Sequence, residues 1–452
     1  MPTTGVRQET TPHIADDSRE AKIMRRVAAR LIPFLFCGYV VASIDRVNIG
    51  FASLEMNHDL GFTRAAFGLA GGAFFLSYFV FEIPSNLWLQ KFGASRWLSR
   101  IMITWGLVSG ATAFVIGPKS FLVMRLLLGA AEAGIFPGTI LFLTYWFPSY
   151  YRARMVGLFM VSIPVSGIIG SPISGLLLGV QGVLGLHGWQ WMFLVEALPS
   201  VLLGLFGLFW LTDGPEAAKW LSADEREWLV ARLAADRRVL ASREVMSVPF
   251  WRMMANRHVL LLTLVCASTL TATGVLGIWQ PIIIKSFGVK NWEAGLLNAI
   301  PYIAAALAMV AWARHSDRRH ERIWHNVLPM LAAVIAMVGT LFTTNLVVMM
   351  GLMTVLMVGV FACKGPYWAL ATELLPNSMA AGGLAQITAF SALPSFFASY
   401  LIGAIKDATG SFPIAIMPIA ALCGAGIIGV LLLRPRLLDA GPSLPIAAEA
   451  GN

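Results

Sequence analysis

Apolar residues gather into twelve blocks along the chain, near 31–52, 67–89, 98–116, 121–147, 154–180, 189–211, 258–286, 293–313, 324–344, 346–371, 380–405 and 412–433. A helix of about 20 residues crosses the roughly 30 Å hydrocarbon core of a bilayer. Backbone groups in lipid must bond within their own segment, and blocks of this length are too long for barrel strands. The pattern predicts an all-α membrane protein with twelve transmembrane helices in two six-helix halves. The longest gap sets the division: a tail at 1–30, a bundle at 31–211, a linker at 212–257, a second bundle at 258–433 and a tail at 434–452. Within the linker, Asp213-Gly214-Pro215 stops a helix and Ser222-Ala223-Asp224-Glu225 is a capping box that starts one. From Glu225 to Leu240 the charged segment carries Trp228, Leu229 and Leu233 on one stripe, as in an amphipathic helix lying on a membrane face. Such a linker is either a tether or a regulator.

Composition excludes a soluble protein: 57% of the 452 residues are hydrophobic, only 13% are charged, and mean hydropathy is +0.72. No short apolar segment with a small-residue cleavage site precedes the first block, so no cleaved signal peptide is expected. Cys37, Cys266, Cys363 and Cys423 all fall inside apolar blocks and read as packed free thiols. Charge then orients the chain. Of 33 lysines and arginines, 25 lie in the tails and the even-numbered gaps, five in the odd-numbered gaps, and three inside helices. That asymmetry predicts both termini in the cytoplasm of a multi-pass plasma (inner) membrane protein. The net charge of +9 is thereby topological, and no nucleic-acid partner is expected.

Four charges sit where the bilayer should be deepest. Asp45, Arg46, Glu132 and Lys364 interrupt apolar stretches, and a charge at the bilayer centre costs at least about 2.5–3.5 kcal/mol unless it meets a partner or a watery cavity. Asp45 and Arg46 are neighbours, so they point about 100° apart on a helix. The planar fork of Arg46 suits a carboxylate, and an acid such as Asp45 can carry a proton. Glu132 is flanked by Gly129, Ala130, Ala131 and Gly134, which let another helix approach closely. These residues form either a coupling site for protons and an anion or a static salt bridge. Lys364 precedes Gly365-Pro366, where the backbone ladder breaks. It is either a second cation facing Arg46 across the halves, favouring a dianion, or a lysine paired with Glu373 or snorkelling. Arg125 either snorkels, pairs with Asp45 or Glu132, or meets substrate. Glu82 and Glu196 lie near Pro84 and Pro199 and read as packing or gating elements.

The halves echo each other: Gln90-Lys91-Phe92-Gly93-Ala94-Ser95-Arg96 follows the second block, and Ser316-Asp317-Arg318-Arg319 with Arg322 follows the eighth. Repeats of this kind frame a central site in transporters. With the 6+6 plan, the second of these loops resembles the major facilitator superfamily. The first-helix run Ser43-Ile44-Asp45-Arg46-Val47-Asn48-Ile49-Gly50-Phe51-Ala52 resembles its anion:cation symporter branch. Phe81-Glu82-Ile83-Pro84-Ser85-Asn86, the run from Arg125 to Gly134, Gly365-Pro366-Tyr367-Trp368 and Lys406-Asp407-Ala408-Thr409-Gly410 do so too. The resemblance spans nearly all of 25–436. It implies proton sites at Asp45 and Glu132 and a carboxylate site at Arg46. It also implies binding positions at Tyr78, Trp279, Gln280, Tyr367, Trp368 and Thr388, and gating roles for Lys91, Gly93, Arg96, Asp317, Arg318 and Arg322, with Arg125 a structural element. Where the family often carries Asn and Gly in its eleventh helix, this chain has Thr388, Ala392 and Pro394, which tilts the expected substrate from a hexonate toward a smaller or less hydroxylated acid; with Lys364 weighed in, a dicarboxylate, hydroxy acid or aromatic acid is expected. Gln90 replaces the superfamily's Asp. The drug-antiporter signature in the fifth helix fails by an inserted residue, Ser171. No metal cluster, phosphate loop or nucleophile motif marks an enzyme.

The resulting expectation is a secondary active importer of a small organic carboxylate by proton symport through a rocker switch. It would have no cofactor beyond the proton as coupling ion, the bilayer and the substrate as its partners, and a monomeric state. The alternatives are a proton-coupled exporter of organic anions or drugs and a transport-inactive sensor on the same fold.

Overall fold

The computed structural model describes residues 14–242, 256–375 and 377–439; the outermost parts of both expected tails and linker residues 243–255 lie outside them. Among the described residues the chain is helical, with no strand. The first half comprises α1 (Ile14–Asp59), α2 (Arg64–Phe92), α3 (Ala94–Ala111), α4 (Pro118–Glu132), α5 (Ile135–Trp146), α6 (Ser149–Met160), α7 (Ser162–Leu177) and α8 (Gly188–Trp210). After the linker helix α9 (Ala223–Ser242) come α10 (Arg257–Lys285), α11 (Asn291–Arg319), α12 (Ile323–Gly339), α13 (Leu346–Ala362), α14 (Lys364–Leu374), α15 (Asn377–Thr409), α16 (Phe412–Ala415) and α17 (Met417–Asp439). Joining α4 with α5, α6 with α7, α13 with α14 and α16 with α17 gives the twelve expected spans. Eleven are long and apolar enough to cross a membrane by length and composition. The third, α3, has 18 residues, and Ser95, Arg96, Ser99 and Arg100 dilute its first turns.

Prolines set the breaks. Pro137, Pro164 and Pro366 each lie four residues beyond Ala133, Met160 and Ala362, the positions at which the fourth, fifth and tenth spans interrupt. A proline lacks the N–H that would bond the carbonyl four residues back, so the ladder fails there. Gly134 completes the fourth break with φ +91°, leaving Glu132 as the last residue of α4 in mid-span. Between α2 and α3, Gly93 adopts φ +89°, and Asp213 from the linker accepts the Ser95 backbone N–H at 2.7 Å.

The halves close on each other at the end opposite the linker helix. A Cβ on Gly68 would collide with the Ser399 carbonyl oxygen, and one on Gly403 with that of Arg64. Only glycine lets these helices approach so closely. Asp407 accepts the backbone N–H groups of Arg64 and Ala65 at 3.3 and 2.8 Å, capping α2 from the other half. Asn291 donates to Glu55 at 2.8 Å, and Asn298 donates to Ser171 at 2.8 Å. At the linker end, α9 packs on the α1 extension. Leu229 and Leu233 are buried in one cluster with Ile23, Met24 and Val27 of the α1 extension, and Arg26 pairs with Glu225 at 2.7 Å.

Candidate functional site

Where the halves separate, a cavity of about 120 Å³ lies between them. Its first-half wall includes Tyr39 and Arg46 of α1 and Phe74, Tyr78 and Glu82 of α2. The second half contributes Cys266 and Thr269 of α10, Lys364, Tyr367 and Trp368 of α14, and Thr388 and Ala392 of α15. Three of the broken spans line it, through Phe136 on the fourth, Met160 and Ile163 on the fifth and Lys364 on the tenth, in keeping with the rule that irregular backbone at membrane depth lines a cavity or is buried in protein.

Arg46 is the centre of the first-half wall. Its Nε donates to Glu132 Oε1 at 2.6 Å, while its guanidinium carbon lies 5.6, 5.7 and 5.2 Å from the ring centroids of Tyr39, Phe74 and Tyr78. The Arg46 side chain keeps 24% of its surface exposed and Glu132 none. Glu132 therefore stands behind Arg46 rather than on the cavity wall, reached through the guanidinium. Arg46 Nη2 and Glu132 Oε2 have no hydrogen-bond partners among the described residues. Unmade bonds of this kind cost about 1–3 kcal/mol each, so the pair holds unused capacity for another donor or acceptor.

Asp45 faces elsewhere. Its Oδ2 accepts from Trp105 Nε1 at 2.8 Å and Ser200 Oγ at 3.1 Å, and its Oδ1 from Ser109 Oγ at 2.8 Å and Asn48 Nδ2 at 3.4 Å. The residue is 1% exposed and ties α1 to α3 and α8, off the cavity. The adjacent positions point apart as a helix requires, and Asp45 is the one turned inward to its own half. Arg125 is equally buried, and Nε, Nη1 and Nη2 find no hydrogen-bond partner among the described residues. It neither snorkels nor pairs within bonding distance of Asp45 or Glu132; its guanidinium carbon sits 5.0 Å from the Phe74 ring centroid.

Lys364 reaches the cavity from the second half, with Nζ 5.0 Å from the Phe361 ring centroid and no ion pair among the described residues. The alternative pairing with Glu373 is ruled out, because Arg322 takes that carboxylate at 3.1 Å while holding Asp317 at 2.7 Å. Arg322, Asp317 and Glu373 thus form one ion-pair network at the linker end. Gly93 supplies its loop's turn, while Lys91, Arg96 and Arg318 are exposed there.

Tyr78, Tyr367, Trp368 and Thr388 line the cavity as expected. Trp279 and Gln280 do not. Both are fully buried, and Trp279 packs edge-on against Phe67 at 5.5 Å and tilted against Phe412 at 6.1 Å. They lie along α10 beyond the cavity, inside the closed seam. Sequence reasoning missed Glu82 as a cavity residue, although it stands one turn from Tyr78, on the same face. It missed Cys266 and Thr269, whose only signal is their position on the span that carries Trp279.

Two bundles closed at one end around a charged central cavity, with broken helices along its wall, define a membrane transporter. The family profile described as Major Facilitator Superfamily matches residues 35–399, and the chain belongs to that family of transporters, which are not enzymes. A putative tartrate transporter of Agrobacterium vitis is 46% identical over 422 residues, covering 93% of each chain. The putative metabolite transport protein NicT of Pseudomonas putida is 40% identical over 433 residues, covering 95% of this chain and 98% of that one. Among solved structures, a D-xylose-proton symporter superposes with a TM-score of 0.70 at 15% identity, covering 90% of this chain and 97% of that one, and so shares the fold. The protein is a multi-pass membrane transporter.

Proposed function

We propose that the protein imports a small organic acid by proton symport, with Arg46 receiving the substrate carboxylate and Glu132 carrying a coupling proton. The observation that carries this reading is the 2.6 Å Arg46–Glu132 pair at the wall of a cavity between two halves. An internal carboxylate and a substrate carboxylate compete for one guanidinium. Protonating Glu132 releases Arg46 to the substrate, and losing that proton restores the pair and expels the anion. With the linker end cytoplasmic, as the lysine and arginine asymmetry favours, the closed seam faces outward and the cavity opens inward. In that state a proton and substrate would be released to the cytoplasm.

Lys364 supports a second carboxylate on the substrate, and the tartrate transporter named above makes a C4 dicarboxylate or hydroxy acid the first class to try. Two cations facing one cavity fit anions better than cationic drugs, which disfavours the exporter of such drugs. In proteoliposomes, the wild type should take up labelled tartrate, malate or succinate when the outside is acidified, and Arg46→Ala should abolish both binding and uptake. Binding retained by Arg46→Ala would overturn the assignment, and binding without uptake by the wild type would favour a sensor.

A further inference from the structure

Glu82 is the one cavity-lining carboxylate among the described residues that the importer reading leaves without work. It is 5% exposed in mid-α2, and its Oε2 has no hydrogen-bond partner among the described residues. Its carboxyl meets the Thr388 hydroxyl from the other half, so it spans the seam between α2 and α15. Arg46 of α1 and Lys364 of α14 share its cavity, with Tyr78 one turn away on its own helix. Behind that wall stand Glu132 and Arg125 of α4. Asp45 and Glu196 are committed elsewhere: four donors saturate Asp45, and Glu196 accepts from Ser174 at 2.6 Å and Asn48 at 3.0 Å. Arg125, Asp45 and Glu196 lie off the cavity lining.

The charges that remain at the cavity are two cations, Arg46 and Lys364, and two carboxylates, Glu132 and Glu82. With both acids ionised the empty cavity is neutral. With a dianion bound, it is neutral only if both acids hold protons. Uncompensated charge is expensive in a desolvated site, so each rocking step is easiest when the sum is zero. Resting on the importer reading, we propose that one dianion travels with two protons, one on Glu132 and one on Glu82, in an electroneutral cycle. The protons load from the outer side with the dianion, and both leave to the cytoplasm as Glu132 reclaims Arg46 and Glu82 ionises in the cavity it shares with the two cations. No bond other than these O–H bonds forms or breaks.

The test measures accumulation in proteoliposomes with labelled tartrate, malate and succinate as probes, at a pH where all are fully ionised, with the membrane potential clamped. A tenfold proton gradient should support about 100-fold accumulation in the wild type, against about tenfold for a single proton, with no dependence on potential. In Glu82→Gln the limit should fall to about tenfold at zero potential. Uptake should also become sensitive to potential and weaken when the inside is negative, because one negative charge then moves inward per cycle. Glu82→Asp should retain two-proton coupling, and so should whatever fraction of Asp45→Asn folds. About tenfold accumulation in the wild type, or an unchanged electroneutral two-proton limit in Glu82→Gln, would overturn the proposal. Failure of the wild type to bind any of the three probes would instead refute the dicarboxylate reading on which it rests, and the wild-type stoichiometry stands whether or not a variant folds.

Discussion

Arg46 meets three aromatic rings and one carboxylate, an environment that holds its guanidinium in place while leaving part of it toward the cavity. Lys364 has no such counterweight, and this difference separates their roles. If Lys364 holds the far carboxylate of a dianion, Lys364→Ala should cost dicarboxylates about tenfold or more in binding, the loss of one charge-assisted bond at about 1.5–3 kcal/mol, while sparing monocarboxylates. A thermal-shift series of matched mono- and dicarboxylates checks this, and equal loss for both would contradict it. At this scale the sequence was informative about which residues carry charge at depth and less so about where they face. The run Asp45-Arg46 shows that two neighbours diverge by about 100°, but the rotation that turns Asp45 onto Trp105, Ser109 and Ser200 is set by packing among three helices. Glu82 was visible as an embedded acid, yet its place on the cavity wall depends on how α2 meets α15.

At the scale of elements, prolines place breaks where the cavity needs them, and caps hold the ends. Glu321, in the connection between α11 and α12, accepts the backbone N–H groups of Trp324 and His325 at 2.7 and 3.1 Å and bonds His325 Nδ1 at 2.6 Å. Burial pushes its carboxyl up, but the His325 side chain and the two N–H donors outweigh that and hold it below its ordinary value. A depressed folded-state value means that the ionised cap adds stability above the unfolded-state range, and that this stability is lost as pH falls through the lower folded value. Glu321→Ala should therefore lower the apparent melting temperature in detergent at neutral pH, by an amount matching the loss of a cap, about 1 kcal/mol. The deficit should shrink as pH drops below the carboxylate range; a deficit constant with pH would contradict the ionised-cap account. The break beside Gly365-Pro366 was legible because proline's missing N–H is a local fact. Trp279 and Gln280 were misplaced because depth along α10 relative to the closed seam is a property of how two halves meet. The linker helix was legible from its capping box, but the contact of Leu229 and Leu233 with the α1 extension was not, since the first apolar block starts too late to reveal that extension.

The whole molecule is two bundles sealed by glycine contacts and hydrogen bonds at one end and parted around charge at the other. The twelve-block pattern and the central gap carried this architecture in full, because lipid leaves the backbone so few choices. Which end is sealed was not in the pattern, since a rocking carrier has the same sequence in every state. The central claim is that Glu132 couples a proton to the anion by releasing and reclaiming Arg46. The most direct test compares exchange with accumulation in proteoliposomes containing Glu132→Gln, with a labelled C4 dicarboxylate on both sides. Exchange of labelled for unlabelled substrate should persist, because an uncharged amide in place of the carboxylate leaves Arg46 free for the anion, while accumulation driven through Glu132 by an inward proton gradient should be lost. A Glu132→Gln carrier that concentrates substrate as steeply as the wild type would contradict the account.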